Sequence, residues 1–535
     1  MPPKHILLKT ARSLRIHCVG VKGIGLSALA QFLAGQGAIV SGSDIPDPFP
    51  ADRALRRAGV KILRGFSVSH LPRRCDAVIA SNAYLPKEWG LRMGDRRKRR
   101  TSVGNPEVRE AIRRRIPVIS YPEAVAALFN AAPRGIAIAG SHGKSTTTAL
   151  LAVTLEALGE NPTAIVGAIV KNWNSNARVP KSRISHHAAD APRDPSEPRP
   201  MPTPFGGPLH SSGSRSAPLR SGGISSFQIP NSRFFVLEAD EYRRAFLQYR
   251  PFGAVVTSVE WDHPDVYRSA AAYRAAFRAF AGHVLQGGFL VACGDEKDMA
   301  TIHAGARPKR FIRYGFGPGN TLRIRGVRHT LQGLDIALSY RGKSIGRFPV
   351  QLFGRHHALN VAAAVAVCLC LGVSVSRIRR ALARFRGTKR RFDVLAPGDR
   401  RANRPVVIDD YAHHPTEIAA TIVAARSAFP RRRIRVLFQP HTFSRTAVFF
   451  TAFRRALRLA DEVALLKTYG SARERRGGKS AKDLATALGA RYFASHVAAM
   501  RYFRARLGGD DVFLTIGAGD GDRVARAVAK VRFSR

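Results

Sequence analysis

Gly135-Ile136-Ala137-Ile138-Ala139-Gly140-Ser141-His142-Gly143-Lys144-Ser145-Thr146 is the stretch that decides the fold. Its first five residues form an apolar run of strand length, the middle is a glycine turn, and a helical pattern follows from about Ser145 to Leu158. A turn between strand and helix is where a phosphate loop must lie. Backbone N–H groups and the helix N-terminus point at the anion there, a lysine ammonium neutralises the terminal phosphate, and the Ser145 hydroxyl can hold Mg²⁺. The common loop pattern carries another glycine five positions before Gly143, where this chain has Ile138, so the loop is a shorter version.

The same alternation continues on both sides. Upstream are strand candidates at Ile16–Gly20, Ala38–Val40, Ala77–Ala80 and Pro117–Ser120, with a helical stretch over Ser27–Leu33. Downstream are Phe234–Leu237 and Ala254–Thr257, and a helix around Leu359–Leu371 that closes the central block. After Gly387 come Val406–Asp409, Arg435–Phe438, Glu462–Leu465 and Val512–Thr515. Strands alternating with helices imply parallel sheets with crossovers. The expectation is three α/β domains in series, 1–133, 134–386 and 387–535, without a solenoid repeat. The stretch at about 182–230 is Pro, Ser, Gly, Arg and His without a period, and reads as a disordered surface insertion.

Composition sets outer limits. A chain of 535 residues is too long for one core, and 45% apolar with 23% charged residues is globular. Eighty-seven Lys+Arg against 37 Asp+Glu leave a formal charge of +50, but the excess is spread over the whole chain. It reads as a solvated compositional bias rather than a specific nucleic-acid face. The five cysteines form no C-x-x-C pair, and their odd number argues against a disulfide framework. Cys368 and Cys370 lie in the run Ala358–Val373, too short to span a bilayer and expected to be a buried helix. No apolar signal core precedes Ser13, so the expected location is cytoplasmic.

Four further clusters carry chemistry. Gly20, Gly23 and Gly25 follow a strand and open a helix, in an order that does not match the dinucleotide fingerprint. They make either a turn that approaches a phosphate or a structural turn, with Ser43-Asp44 ending the next strand. Glu238-Ala239-Asp240-Glu241-Tyr242 and Glu260-Trp261-Asp262-His263-Pro264 each follow an apolar strand, which places carboxylates and an imidazole where Mg²⁺ beside a phosphate loop needs ligands. The third block carries Asp409-Asp410-Tyr411-Ala412-His413-His414-Pro415-Thr416 and Gln439-Pro440-His441-Thr442-Phe443-Ser444-Arg445-Thr446. His413 and His414 have no cysteine or spaced third ligand nearby, which favours hydrogen bonding to substrate or nucleotide over zinc.

The ordered set of these motifs, with G-R-H-x-A-L-N at 354–360 and G-T-K-R-R-F at 387–392, resembles the Mur ligases over nearly the whole chain apart from the insertion. The resemblance implies a UDP-sugar-binding N-terminal domain of Rossmann-like fold, a central ATPase domain, and a Rossmann-like C-terminal domain that brings the amino acid. It implies ATP and Mg²⁺ as cofactors, UDP-N-acetylmuramate and L-alanine as substrates, a place in peptidoglycan precursor synthesis, and a monomer or dimer. Within the nucleotide loop of Gly140, Ser141, His142, Gly143, Lys144, Ser145 and Thr146, it implies that Lys144 grips the γ-phosphate and that Ser145 binds the metal. Glu241 is the preferred acidic metal ligand with Glu238 as fallback, and His263, expected to be catalytic, is the central-domain histidine near a second metal. His356 and Asn360 fall where the family holds adenine, and Asp410 where it holds ribose. His441 and Arg445 match positions facing the muramoyl or amino-acid substrate, while Gly20, Gly23, Gly25 and Ser43 fall in the uridine-diphosphate region. His357 departs from the family, standing where Asn is common. An imidazole cannot offer an amide's simultaneous donor and acceptor. Competing readings are a ligase adding a whole tripeptide, a folate-polyglutamate type of ligase, and a basic nucleic-acid-binding protein on a degenerate ligase fold. The last predicts loss of Lys144 or the carboxylates, and both are present.

Deletion of residues 182–230 is expected to leave turnover within about tenfold of the parent, ~1.4 kcal/mol in the barrier. Steady-state kinetics of the two chains checks this.

Overall fold

The computed structural model describes residues 14–85, 104–180, 232–263, 266–297, 299, 302, 310–330, 332–470 and 478–531. The first thirteen residues, Pro264 and the 182–230 insertion therefore lie outside the described residues. Three sheets account for the described strands. The first holds β1 (Arg15–Val19), β2 (Ile39–Asp44), β3 (Lys61–Arg64), β4 (Ala77–Ala80) and β5 (Val118–Ser120), in the order β3-β2-β1-β4-β5. All four pairings are parallel. Every residue of β4 is buried, the signature of a strand covered on both faces.

The central sheet has ten strands: β6 (Arg134–Ala139), β7 (Thr163–Val170), β8 (Ser175–Arg178), β9 (Phe234–Glu238), β10 (Gly253–Val256), β11 (Phe289–Cys293), β12 (Arg310–Gly315), β13 (Leu322–Thr330), β14 (Gly333–Tyr340) and β15 (Lys343–Val350). Their order is β15-β14-β13-β12-β11-β10-β6-β9-β7-β8. Parallel strands form its middle, and the antiparallel meander β13–β15 extends one side. One consequence of this order governs the site. β9 and β10 flank β6 in parallel, so the loops after all three strands emerge at one edge. The third sheet holds β16 (Asp393–Ala396), β17 (Val406–Asp410), β18 (Arg433–Phe438), β19 (Glu462–Leu466), β20 (Arg491–Phe493) and β21 (Asp511–Ile516), in the order β16-β17-β21-β18-β19-β20. Only its edge strand β16 runs antiparallel.

Two expectations need correction. The helix His356–Cys370 does not close the central block, because a further helix, Val375–Leu382, packs against β15 and the helix Lys144–Ala157. The β13–β15 meander went unrecognised from the sequence. Its strands carry arginines and glycines that blur the alternation of apolar residues. The cysteine reading holds: all five are free, and burial pushes the Cys368 and Cys370 thiols up to about 12. Among the described residues no helix is long and apolar enough to cross a membrane.

The first two layers share one core. Helix Ile24–Gly35 lies against β7 and β8, and Phe235 meets Phe32 and Phe129 at ring-centroid distances of 6.0 and 5.5 Å. The third layer has apolar clusters of its own. Phe235→Ala is expected to lower the unfolding free energy by ~3–5 kcal/mol, because the cavity opens where two domains meet and neither can collapse into it. Denaturant titration measures this.

Candidate active site

Gly140 and Gly143 bracket the phosphate loop in backbone conformations with φ of 141° and 80°. A side chain at the first would collide with Thr257 and at the second with the Asn360 amide, so both positions require glycine. The strand end of β10 fixes the loop from beside it. Ser141 N donates to Ser258 O at 3.0 Å, His142 N to Ser258 Oγ at 2.9 Å, and Thr257 Oγ1 to His142 O at 2.5 Å. Helix Lys144–Ala157 starts directly afterwards with no acidic residue in its first turn, leaving its N–H groups and positive end for an anion.

Lys144 folds back over this loop. Its ammonium donates to Gly140 O at 2.5 Å and lies 2.9 Å from Glu241 Oε2. Burial alone would lower its pKa, but Glu241, with Asp240 and Glu238, raises it above the ordinary lysine value. Glu241 is 1% exposed. Burial pushes its pKa up, yet Lys144 and then His263 outweigh that and hold it below the usual carboxylate range. His263 Nε2 lies 3.6 Å from Glu241 Oε1 and 3.8 Å from Asp262 Oδ2. The chain around them is bent sharply, with Arg243, Arg244 and His263 all in the left-handed region, an arrangement that costs energy and tends to occur at functional sites.

The expected metal set divides into two. Ser145 Oγ donates to Glu238 Oε1 at 2.9 Å, and Glu238 Oε2 accepts from Gly167 N at 2.5 Å. The hydroxyl thus faces the fallback carboxylate, while Glu241 keeps company with Lys144 and His263.

Three other expected residues have their polar groups engaged within the protein, and a fourth, His441, makes a ring contact. The Ser43 hydroxyl, buried, donates to Glu107, which also meets His17 at 3.2 Å and His70 at 3.1 Å. What Ser43 gives the glycine turn is its carbonyl, which accepts from Gly20 N and Val21 N. Gly20 and Gly25 are needed because the Tyr84 and Tyr121 rings press on them, whereas Gly23 has only the Gly20 carbonyl nearby, at 3.4 Å from a would-be Cβ. Both Asp410 oxygens accept backbone N–H groups, from Phe392 at 2.7 Å and Ala412 at 2.8 Å, and burial pushes its pKa up to about 6. Arg445 points at Asp262, with Nη2 3.0 and 3.2 Å from the two carboxylate oxygens. Arg445 is 8% and Asp262 4% exposed, so this pair is a tie between the central and C-terminal domains rather than a free substrate contact. His441 stacks on Tyr469 at 5.9 Å.

The His357 departure has a structural answer. Asn360 Nδ2 donates to His357 Nδ1 at 3.0 Å, and Asn360 Oδ1 accepts from Thr147 Oγ1 at 3.3 Å. His357 therefore orients the amide that abuts Gly143. Burial holds the imidazole neutral, its pKa well below the ordinary value. Neighbouring His356, its ring 4.1 Å away, is lowered to about 4, again mainly by burial.

Three further contacts at the loop were not assigned from the sequence. Arg391 Nη2 reaches within 3.5 Å of Ser145 Oγ, bringing a C-terminal guanidinium to the phosphate loop. Its neighbour Arg390 anchors that segment through Asp409, Gly517 O and Gly519 O. Glu260 and Glu417 grip the two ring nitrogens of His142 at 2.9 and 3.1 Å. The G-T-K-R-R-F run was the available signal for the arginines; Glu260 was read only as part of a metal-side carboxylate cluster, and nothing local marked its pairing, or that of Glu417, with His142.

A phosphate loop with its lysine, two carboxylate clusters at adjacent strand ends and an arginine supplied by a separate α/β domain define a nucleotide-dependent ligase. Comparison with known proteins places it more finely. Family models match residues 15–133 (Mur ligase family, catalytic domain), 224–368 (Mur ligase middle domain) and 390–519 (Mur ligase, glutamate ligase domain). The chain belongs to the Mur ligase family. It is 32% identical to the UDP-N-acetylmuramate–L-alanine ligase of Desulfitobacterium hafniense, over 96% of this chain and 99% of that one. With the enzyme of the same name from Mycobacterium tuberculosis it shares 33% identity over 95% and 92% of the two chains. Among solved structures, the UDP-N-acetylmuramate–alanine ligase of Thermotoga maritima superposes with a TM-score of 0.71 at 24% identity, covering 97% and 98% of the chains. A murein peptide ligase from Psychrobacter arcticus gives 0.64 at 20% identity, covering 97% and 99%.

Arg445→Ala is expected to destabilise the chain by ~3–5 kcal/mol, since it leaves Asp262 buried without its counter-charge. Asp262→Asn in the same background should restore part of that loss, which denaturant unfolding of the two variants resolves.

Proposed function

We propose that this protein joins L-alanine to UDP-N-acetylmuramate at the expense of ATP, in the assembly of a peptidoglycan precursor. The observation that carries the reading is the loop Gly140–Thr146 with Lys144 seated over it, in a chain that matches L-alanine-adding relatives along nearly its whole length.

A carboxylate is a poor electrophile until one oxygen becomes a leaving group. The sugar carboxylate attacks the γ-phosphorus of ATP, ADP departs, and an acyl phosphate forms. The L-alanine amine then adds to the carbonyl carbon, and phosphate leaves as the amide closes. Negative charge gathers at the transferring phosphoryl group, so catalysis needs cations already in position. Lys144 supplies one, pre-oriented by Glu241 and the Gly140 carbonyl. Arg391 supplies another beside Ser145. The helix N-terminus and loop N–H groups bind the remaining phosphate oxygens.

Ser145 and Glu238 present adjoining hard oxygen donors, which suits Mg²⁺, and Glu241 with His263 offers a second carboxylate–imidazole pair alongside. Bound there, Mg²⁺ would offset charge on the nucleotide phosphates. We assign the UDP-sugar to the N-terminal domain (1–133), ATP to the central domain (134–386), and delivery of the amino acid to the C-terminal domain (387–535). We assign Asn360, which abuts Gly143, and His356 to the nucleotide side. His441 is the remaining candidate for the amino-acid side, since Arg445 is engaged by Asp262.

Phosphate release from Mg·ATP should require UDP-N-acetylmuramate and an amino acid together, with L-alanine preferred over glycine and L-serine. Release with the tripeptide and not with L-alanine would assign the chain to the tripeptide-adding relatives instead. Lys144→Ala should reduce turnover at least 10³-fold (about 4 kcal/mol in the barrier) while retaining UDP-sugar binding by calorimetry.

A further inference from the structure

His414 has no third ligand near it in the sequence, but the fold brings two from other segments. His142 comes from the phosphate loop, Glu260 from the loop after β10, and His414 from the N-cap of the helix Pro415–Ala428. One ligand atom from each lies within 4.8 Å of the others. His142 Nε2 is 2.9 Å from Glu260 Oε2, and His414 Nδ1 is 3.9 Å from Glu260 Oε1. Ligand atoms around a tetrahedral ion with bonds of 2.0–2.1 Å are about 3.4 Å apart, and the two separations, one to each Glu260 oxygen, lie within about 0.5 Å of that.

The surroundings are those of a metal centre. A ligating histidine usually donates its other ring N–H to a carboxylate, which fixes the tautomer and makes the free nitrogen more basic. His142 does this: Nδ1 lies 3.1 Å from Glu417 Oε1, leaving Nε2 toward Glu260. Glu260 is oriented in the same way, its Oε1 accepting from Thr416 Oγ1 at 2.7 Å while Oε2 faces His142. His414 is 3% exposed; its Nδ1, on the Glu260 side, accepts the helix-capping hydrogen bond from Thr416 N at 3.4 Å, a contact the ion would displace, and its Nε2 has no hydrogen-bond partner among the described residues. The Phe449 ring, 4.7 Å away, supports it on one side.

We propose that His142, Glu260 and His414 bind one divalent transition-metal ion of the zinc type, which fastens the C-terminal domain to the phosphate loop. The donor set sorts the metals. Two imidazoles and one carboxylate suit Zn²⁺, whereas Mg²⁺ prefers the all-oxygen surroundings of Ser145 and Glu238. On binding, the ion replaces the proton shared by His142 Nε2 and Glu260 Oε2, and that proton goes to solvent. The ion therefore ties together the same two segments that the His142–Glu417 hydrogen bond already joins. This inference does not depend on which amino acid the enzyme adds.

Zn²⁺ binding to the full chain is measured by competition with a chromophoric chelator. Saturating Mg·ADP is present throughout, so that the Mg²⁺ position is occupied. The parent chain is expected to hold one equivalent with micromolar or tighter affinity. His414→Asn keeps a helix-capping side chain and should weaken that affinity at least tenfold, as should Glu260→Gln, with Mg·ADP affinity serving as the check that each variant is folded. His263→Asn, at the Glu241 pair, should retain the zinc equivalent. No tight equivalent in the parent chain, unchanged affinity in both His414→Asn and Glu260→Gln, or loss of the equivalent in His263→Asn alone would overturn the proposal.

Discussion

An ammonium group brought out of water needs a nearby negative charge, and much of the site follows from how this chain meets that need for Lys144. Its partner Glu241 stands 2.9 Å away and is itself buried, so neither charge is tolerable without the other. The pair exists because β9 and β6 are neighbours in a parallel sheet. That register brings the end of the run Phe234–Glu238 beside the loop that follows Ala139. On the other flank, β10 delivers Thr257, Ser258 and Glu260 to the same loop. Strand order, more than any single motif, assembles a cation, two carboxylate clusters and a helix N-terminus within one small volume.

The three domains are joined in two physically different ways. The N-terminal and central domains share a continuous apolar core through Phe32, Phe129 and Phe235. At the site, the C-terminal domain meets the central one mainly through polar and charged groups, Arg445 with Asp262, His142 with Glu417 and Arg391 with Ser145, beside the smaller apolar contacts of Trp261 with Phe449 and of Phe353 with the C-terminal core. Apolar burial is non-directional and holds two bodies together whatever the occupancy of the site. Ion pairs and charged hydrogen bonds are directional, so they fix one docking register and respond to nearby charge.

Much of this was legible in the sequence because it is local. The strand–turn–helix at Gly135–Leu158, the E-A-D-E-Y run and the order of the blocks are each written within a few residues, and three parallel-rich sheets followed from their alternation. What spacing did not show are contacts distant in sequence. Ser43 was expected to face a diphosphate, but it serves Glu107, 64 residues away. Arg445, expected to face substrate, pairs with Asp262 across 183 residues. Asp410 is taken up by the backbone of Phe392 and Ala412, which no spacing rule reveals. The zinc reading of His413-His414 was set aside for want of a nearby third ligand. Two candidate ligands come instead from residues 142 and 260, brought close only by the fold.

The central claim is that this site activates a carboxylate by transferring phosphate to it. The most direct test labels both carboxylate oxygens of UDP-N-acetylmuramate with ¹⁸O and follows the label through one turnover with Mg·ATP and L-alanine. Transfer through an acyl phosphate predicts one ¹⁸O atom in each released inorganic phosphate, with the other retained in the amide carbonyl. Unlabelled phosphate, accompanied by amide formation, would contradict the account and require the oxygen to leave by another route.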